Sequence, residues 1–368
     1  MARISTQFNN FSFGKIDHRT NGRFDLPIYH SGADVVKNFF TNFQGNAIYR
    51  PGFESISKFE DCRFIEFKFN NEQSYLCLFY NTKIKFLSYD AGGNLGFVQS
   101  GGADLEVATP YSLAESKELK YDQNADVMVI VHPSYEPRKL TRVSATNFTL
   151  STFARTADPF TGAGDYPSCV RYYKGRIYYA NTNNKPTTMW GSQVADYDNM
   201  TTGTNDDDGL EFAIADITEE IEWLMGGNNS LIAGSSEAIA AINGGTPDDP
   251  ITPTTVEASV TNTDGSNTTQ PIRKEDLLFY IRRDSRACDY FSYDLLTESF
   301  KSHDANKLSY EITQEKISRL VYKKDRDNLI FTLRGDHALL TLNFNLEEKI
   351  IGWHEHFAGN DDEFHDIS

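Results

Sequence analysis

"RFIEFKFNNEQSYLCLFYNTKIKFLSYD", residues 63–90, decides how the rest of the chain is read. Over 63–70, Ile65, Phe67 and Phe69 alternate with Phe64, Glu66 and Lys68. That two-residue period predicts a strand with one buried face. A polar Asn-Glu-Gln turn leads to a second apolar run at 74–81, and a third strand follows at 82–90. Three strands joined by tight turns make a β-meander.

The same rhythm continues toward the C-terminus. Residues 112–123, "SLAESKELKYDQ", predict a short helical or turn segment. "DVMVIVH" (126–132) is apolar throughout and predicts a central strand, ended by Pro133 because proline cannot donate to a ladder. Strands at 168–173 and 176–180 flank a Lys174-Gly175 turn. Tyr172, Tyr173, Tyr178 and Tyr179 then fall two on each face, Trp190 is expected to be buried, and 181–185 to be an exposed loop. Further strands are expected at 210–214 and on both sides of Gly226-Gly227-Asn228-Asn229. Residues 243–272 are rich in Gly, Pro, Thr, Asn and Asp and read as an exposed excursion. Strands return from 275, most densely in "DNLIFTLRGDHALLTLNFNLEEKIIGWHEH" (327–356).

Toward the N-terminus, Ala33, Val36, Phe39, Phe40 and Phe43 approach helical spacing. They predict a short helix over 31–44, capped by Ser31 and stopped by Gly45. Arg50-Pro51-Gly52 reads as a turn with Gly52 at positive φ. The chain is thus expected to be all-β and β-propeller-based, with a short N-terminal helical segment, inserted loops and an uncounted blade set. The expected divisions are an N-terminal docking segment at 1–60, propeller strands at 61–243, the excursion at 244–272 and further propeller strands at 273–368.

Lys and Arg number 35 against 52 Asp and Glu, a net charge of −17. Such a chain is poorly suited to tight, general binding of nucleic acid, since the phosphates repel it. Cys62, Cys77, Cys169 and Cys288 form no Cys-x-x-Cys pair and read as buried reduced thiols; Cys62 and Cys77 could face each other across a hairpin. The first twenty residues have no apolar signal region, and no run reaches the length of a membrane span.

No catalytic constellation stands out, so no enzyme activity is expected and no catalytic, cofactor-binding or metal-binding residue is assigned. His354 and His356 would share a strand face, but no third ligand stands at metal spacing, although Asp361 and His365 follow. "TNDDDGLE" (204–211) and "TPDDP" (246–250) miss the spacing of a calcium loop. Arg334-Gly335-Asp336 reads as a hairpin turn. Nothing matches Gly-x-Ser-x-Gly.

Four short patterns occur in order. The first holds Gly22, Arg23, Asp25, Leu26, Tyr29, Gly32, Asn38, Phe39, Gln44, Gly45, Arg50, Pro51 and Gly52. The second holds Thr109, Pro110, Tyr111, Gln123, Ala125, Asp126, Met128, His132 and Pro133. The third places Gly175-Arg176 before Trp190 and Asp196-Tyr197; the fourth is Gly352-Trp353 with His356. Together they resemble the tail nozzle proteins of short-tailed bacteriophages, the tail tubular protein B-like group. Tyr49 stands where that family has a further arginine before Arg50, and many of its members continue past the fourth pattern with further strands.

The resemblance implies a structural virion protein of the tail, without cofactor. Six copies would ring up beneath the portal and head-to-tail adaptor, contact tail fibres or other tail proteins, and continue the channel for double-stranded DNA. They would retain the genome and conduct it at ejection. A cyclic ring needs two different faces per subunit. An acidic lumen would keep passing DNA from sticking. The alternative is a β-propeller that binds or degrades surface glycans, suggested by aromatic richness and acidic loops.

Overall fold

The computed structural model describes residues 10–42, 44–56, 58–59, 61–90, 92–246, 249–294, 299–324, 329–359 and 363–368. The chain divides into two units, 55–270 with 368, and 1–54 with 271–367.

The larger unit holds four successive antiparallel meanders. The first runs through Arg63–Lys68, Ser74–Tyr80 and Lys83–Tyr89 and takes Glu106–Ala108 as its fourth strand. The second is Lys120–Asn124, Val127–His132, Tyr135–Ser144 and Asn147–Thr152. The third is Cys169–Tyr173, Arg176–Thr182, Lys185–Gly191 and Leu210–Ala213. The fourth is Ile221–Gly226, Leu231–Ser235, Ile239–Asn243 and Glu257–Asn262. Each has its strands in sequence order, the topology of a propeller blade.

Alternation explains how these sheets stack. In Val127–His132, Met128 and Ile130 join Ile65, Phe67, Phe79 and Phe86 of the first meander. Val129 and Val131 point the other way and join Ile177, Tyr179 and Trp190 of the third. A strand covered on both faces reads as a continuous apolar run, as this one does. Phe86 and Phe148 stack with centroids 4.3 Å apart, a geometry that adds to simple area burial. The third and fourth meanders share a further core of Tyr173, Tyr178, Met189, Leu224, Leu231 and Ile242.

The smaller unit holds a fifth meander, Ile272–Lys274, Leu277–Ile281, Cys288–Asp294 and Ser299–Asp304. Its sixth sheet runs Ile317–Lys323, Leu329–Arg334, Leu339–Asn345 and Ile350–His356. Two short N-terminal strands, Gly14–Lys15 and Gly32–Ala33, extend that sheet in parallel. Phe279, Ile281, Leu320, Ile330, Leu340, Leu342 and Trp353 form its core. The chain is all-β and built from propeller-type blades, as its sequence predicts.

Several local expectations need correction. Residues 32–42 are not helical: Ser31 ends a 3-10 helix over Pro27–Ser31 instead of capping one, and the described part then contains Gly32–Ala33 and Phe39–Thr41, the latter paired with Ala47–Tyr49. Valine, phenylalanine and threonine favour extended backbone, and Asn38 at φ 60° interrupts any helix. The segment's amides also find a better partner. Glu355 N–H donates to the Val36 carbonyl, and Asn38 N–H donates to the Glu355 carbonyl. Phe43 lies outside the described residues.

Residues 50–56 form no turn, and Gly52 is not among the positive-φ residues. There the Arg50 guanidinium lies over the Phe53 ring at 3.9 Å and donates to the Pro51 carbonyl. The helix over Leu113–Glu118 does form, with a reciprocal Ser112–Glu115 capping box, but 120–124 is strand. Asn181 and Thr182 are buried in the third meander, so only 183–186 are exposed there. Cys77 pairs with Ile65 across the hairpin while Cys62 sits in another cluster; all four cysteines are buried and none is in a disulfide.

Candidate functional site

The first and fourth sequence patterns meet on one strand. Phe39–Thr41 and Ala47–Tyr49 form a hairpin laid against Ile350–His356. His354 Nε2 lies 2.8 Å from Thr41 Oγ1 and 3.3 Å from the Thr41 amide nitrogen. Because an amide only donates, Nε2 accepts and the ring proton sits on Nδ1. Asn343 Nδ2 donates to the Thr41 carbonyl at 2.6 Å. The Phe40 ring meets His356 at 4.9 Å, and Asn38 Oδ1 accepts from the Phe357 amide. Arg50 reaches the Phe357 carbonyl at 3.3 Å.

Both histidines are fully buried. Burial pushes the His354 imidazole down to about 3, assisted by His356 beside it. Burial, then the Arg50 charge, pushes His356 down to about 4. The rings share a face, as their spacing predicts, but each meets a residue of the hairpin. Their environment favours neutral packing. Asp361, considered with them as a ligand, lies outside the described residues.

Two glycines allow the backbones to approach. Gly14 pairs with Trp353 at φ +64°, and a Cβ there would stand 2.5 Å from the Trp353 carbonyl oxygen. A Cβ on Gly352 would stand 2.7 Å from the Ser12 carbonyl oxygen. Trp353 is fully buried, and its Nε1–H donates to the Ala305 carbonyl at 2.9 Å. Of the remaining residues of the first pattern, Gly32 extends the sixth sheet and Gly45 is buried. Arg23 and Asp25 pair with each other at 2.7 Å and are exposed. Gly22 and Gly45 adopt positive φ, and Gln44 is exposed.

The second and third patterns serve separate turns. Thr109 Oγ1 accepts from the Tyr111 amide across Pro110, and Tyr111 packs edge-on against Tyr135 at 5.2 Å. His132 Nδ1 accepts from the Ser134 amide as the chain turns at Pro133. Asp126 pairs with Arg142 at 3.5 Å. Lys174 and Gly175 both have positive φ, the signature of a type I′ hairpin turn. Trp190 is buried with its ring 5.4 Å from Phe160, and Tyr197 packs edge-on against Tyr172. Asp196 is exposed.

Arg176 carries more than a turn. Its guanidinium is buried and donates to the carbonyls of Ser192, Asp206, Asp207 and Asp208. The acidic loop once compared with a calcium site thus turns its backbone oxygens onto a cation of the chain itself. Arg334 in the Arg-Gly-Asp turn is likewise engaged, with Asp336 at 2.7 Å and Glu355 at 2.6 Å.

Beside Arg176 opens a pocket of about 240 Å³, lined by Tyr173, Lys174, Tyr178, Asp206, Asp207 and Ile251 among others. Aromatic and aliphatic walls with a few polar groups at the rim suit a small polar ligand with an apolar face. The tyrosine pairs are the only sequence signal for it. Ile251 comes from a segment about 75 residues further on, and no local spacing announces it.

No protein-family model matches the chain, and no curated protein matches it. Among solved structures it is similar to a streptogramin B lyase at 12% identity and TM-score 0.47, covering 80% of this chain and 83% of that one. It is similar to the Pan2 WD40 domain of Neurospora crassa at 7% identity and TM-score 0.46, covering 83% and 82%. It is also similar to the periplasmic gluconolactonase of Pseudomonas aeruginosa at 10% identity and TM-score 0.46, covering 73% and 77%. At such values no residue role passes from any of them to this chain.

Proposed function

We propose that the chain is a non-enzymatic, ring-forming subunit of a virion tail: a nozzle subunit that extends the DNA channel below the portal and adaptor. In this reading it forms a homohexamer, contacts adaptor and fibre proteins, and retains and then conducts the genome. The observation that carries the reading is the junction of the first and fourth patterns. Asn38, Phe39 and Arg50 belong to the hairpin and its flanks, and they lie against the strand that carries Trp353 and His356, some 300 residues later. Residues spent on joining segments so far apart in the chain are what a framework protein needs. The buried neutral histidines at that junction are suited to packing and not to acid–base work. The net charge of −17 favours transit of DNA over its capture.

Co-expression with the head-to-tail adaptor of the same virus tests the reading. Native mass measurement and negative-stain imaging should find six copies in a ring on the adaptor. A chain that stays monomeric in the presence of the adaptor rules the reading out.

A second reading, a glycan-binding propeller, is favoured by the pocket at Tyr173 and Tyr178. Sugar rings stack on aromatic faces, and carboxylates such as Asp206 and Asp207 accept from hydroxyls. A glycan array on the purified chain, repeated with Tyr173→Ala, separates the two: signal lost in the variant supports this reading, and silence in both removes it.

A further inference from the structure

His337 stands in the turn between Leu329–Arg334 and Leu339–Asn345, and the segment 363–365 lies on that turn. The Phe364 amide donates to the His337 carbonyl at 3.0 Å, and His337 Nδ1 lies 3.2 Å from the Phe364 carbonyl oxygen. A carbonyl only accepts, so this second contact is a hydrogen bond when the ring proton sits on Nδ1. The lone pair is then on Nε2, which faces the Glu363 carboxylate at 4.0 Å. The His365 ring is 5.0 Å from that of His337. One ligand atom from each of His337, Glu363 and His365 lies within 4.8 Å of the others.

We propose that His337, Glu363 and His365 form a binding site for a divalent transition cation of the zinc type, with a fourth position left to water. Two imidazoles and a carboxylate match the borderline softness of that ion and would not select calcium or magnesium, which take oxygen ligands. A ligating histidine typically donates its other N–H to a carbonyl or carboxylate, which fixes tautomer and ring orientation. The Phe364 carbonyl supplies that partner to His337. Bonds of about 2.0–2.2 Å put tetrahedral ligand atoms about 3.4 Å apart. The group therefore closes by roughly 1 Å on binding, through the exposed side chains of Glu363 and His365.

The bound cation would clip the C-terminal segment to the hairpin turn. Two contacts already bring the segment there: Arg319 with Asp366 at 3.1 Å, and Phe53 edge-on to Phe364 at 5.3 Å. A second three-residue group, Asp17 with His18 and Glu311, is a weaker candidate. It has one imidazole, which is in direct contact with Glu311, and its buried Asp17 accepts from the Arg19 amide.

The test is calorimetric titration of the tag-free full chain with Zn²⁺, and separately with Ca²⁺. The expected result is one zinc per chain, no calcium binding, and an affinity lowered about tenfold or more by His337→Ala or His365→Ala. Zinc should also raise the melting temperature of the parent chain and not that of the double variant. Equal melting temperatures without metal verify that the variants fold. Zinc binding that is absent, or unchanged in the double variant, overturns the proposal.

Discussion

Thr41 Oγ1 and His354 Nε2 are 2.8 Å apart and buried, though 313 residues separate them in the chain. A hydrogen bond between such partners is worth little against water but is costly to break halfway, because the remaining group stays desolvated. Thr41→Val removes the hydroxyl and keeps the backbone amide that also donates to Nε2, so it should lower stability by about 0.5–1.5 kcal/mol in urea unfolding. A double-mutant cycle with His354→Ala should return a coupling energy of at least about 0.5 kcal/mol. Additivity would mean that the two side chains do not interact.

The same strand makes stability depend on pH. The folded-state values of His354 and His356 fall to about 3 and about 4, below the ordinary 6.5. Between those limits the unfolded chain takes up protons that the native chain refuses. Stability from these rings is thus complete above about pH 6.5 and is lost as pH falls toward 4 and then 3. Each ring contributes up to about 1.4 kcal/mol per pH unit in that window. His356 has no hydrogen-bond partner for either ring nitrogen among the described residues. His356→Phe should therefore make the acid slope shallower at little cost at neutral pH, as read from unfolding curves at several pH values. An unchanged slope would exclude His356 as a source.

Gly14 and Gly22 offer a matched pair. Both have positive φ, but only Gly14 faces backbone, with Trp353 atoms at 2.5 and 2.8 Å from a built Cβ; nothing lies within 4 Å at Gly22. Gly22→Ala should cost about 1 kcal/mol from conformation alone. Gly14→Ala should cost at least about 2 kcal/mol, because the parallel pairing must shift as well. Chemical denaturation of both variants checks the difference, and equal losses would contradict it.

Arg176→Lys should loosen the acidic loop. Lysine cannot spread donors over carbonyls from Ser192 to Asp208 as the planar guanidinium does. The expected outcome is faster limited proteolysis at 204–208 and a stability loss of about 1–3 kcal/mol. Cleavage at the parental rate would show that the loop is held by other means.

The strands were legible wherever two-residue alternation coincided with turn residues, as in 63–90 and 168–180. The 31–44 segment was not. Its apolar positions fit a helical period, and its true state depends on amides of a strand more than 300 residues away. The His354–His356 pair was visible as a motif, but its burial against Thr41 and Phe40 was not, so its neutral character had no local sign. Asn181 looked like loop because asparagine usually is. In the structure it is strand, and its side-chain amide donates to the Ile221 carbonyl of the neighbouring meander. The pocket beside Arg176 and the group around His337 both join segments with no common spacing. Sequence periodicity cannot report such meetings.

The pairing of Gly14 with Trp353 also sets a clock. A ribosome adding about 5–20 residues per second makes Trp353 roughly 20–70 s after Gly14. During synthesis Gly14–Lys15 has only the two-residue strand Gly32–Ala33 beside it, while the first four meanders, each complete within a short stretch, can already close. The N-terminal segment must therefore spend that interval exposed or shielded by a chaperone. The strand Ile350–His356 is the one that ends its wait.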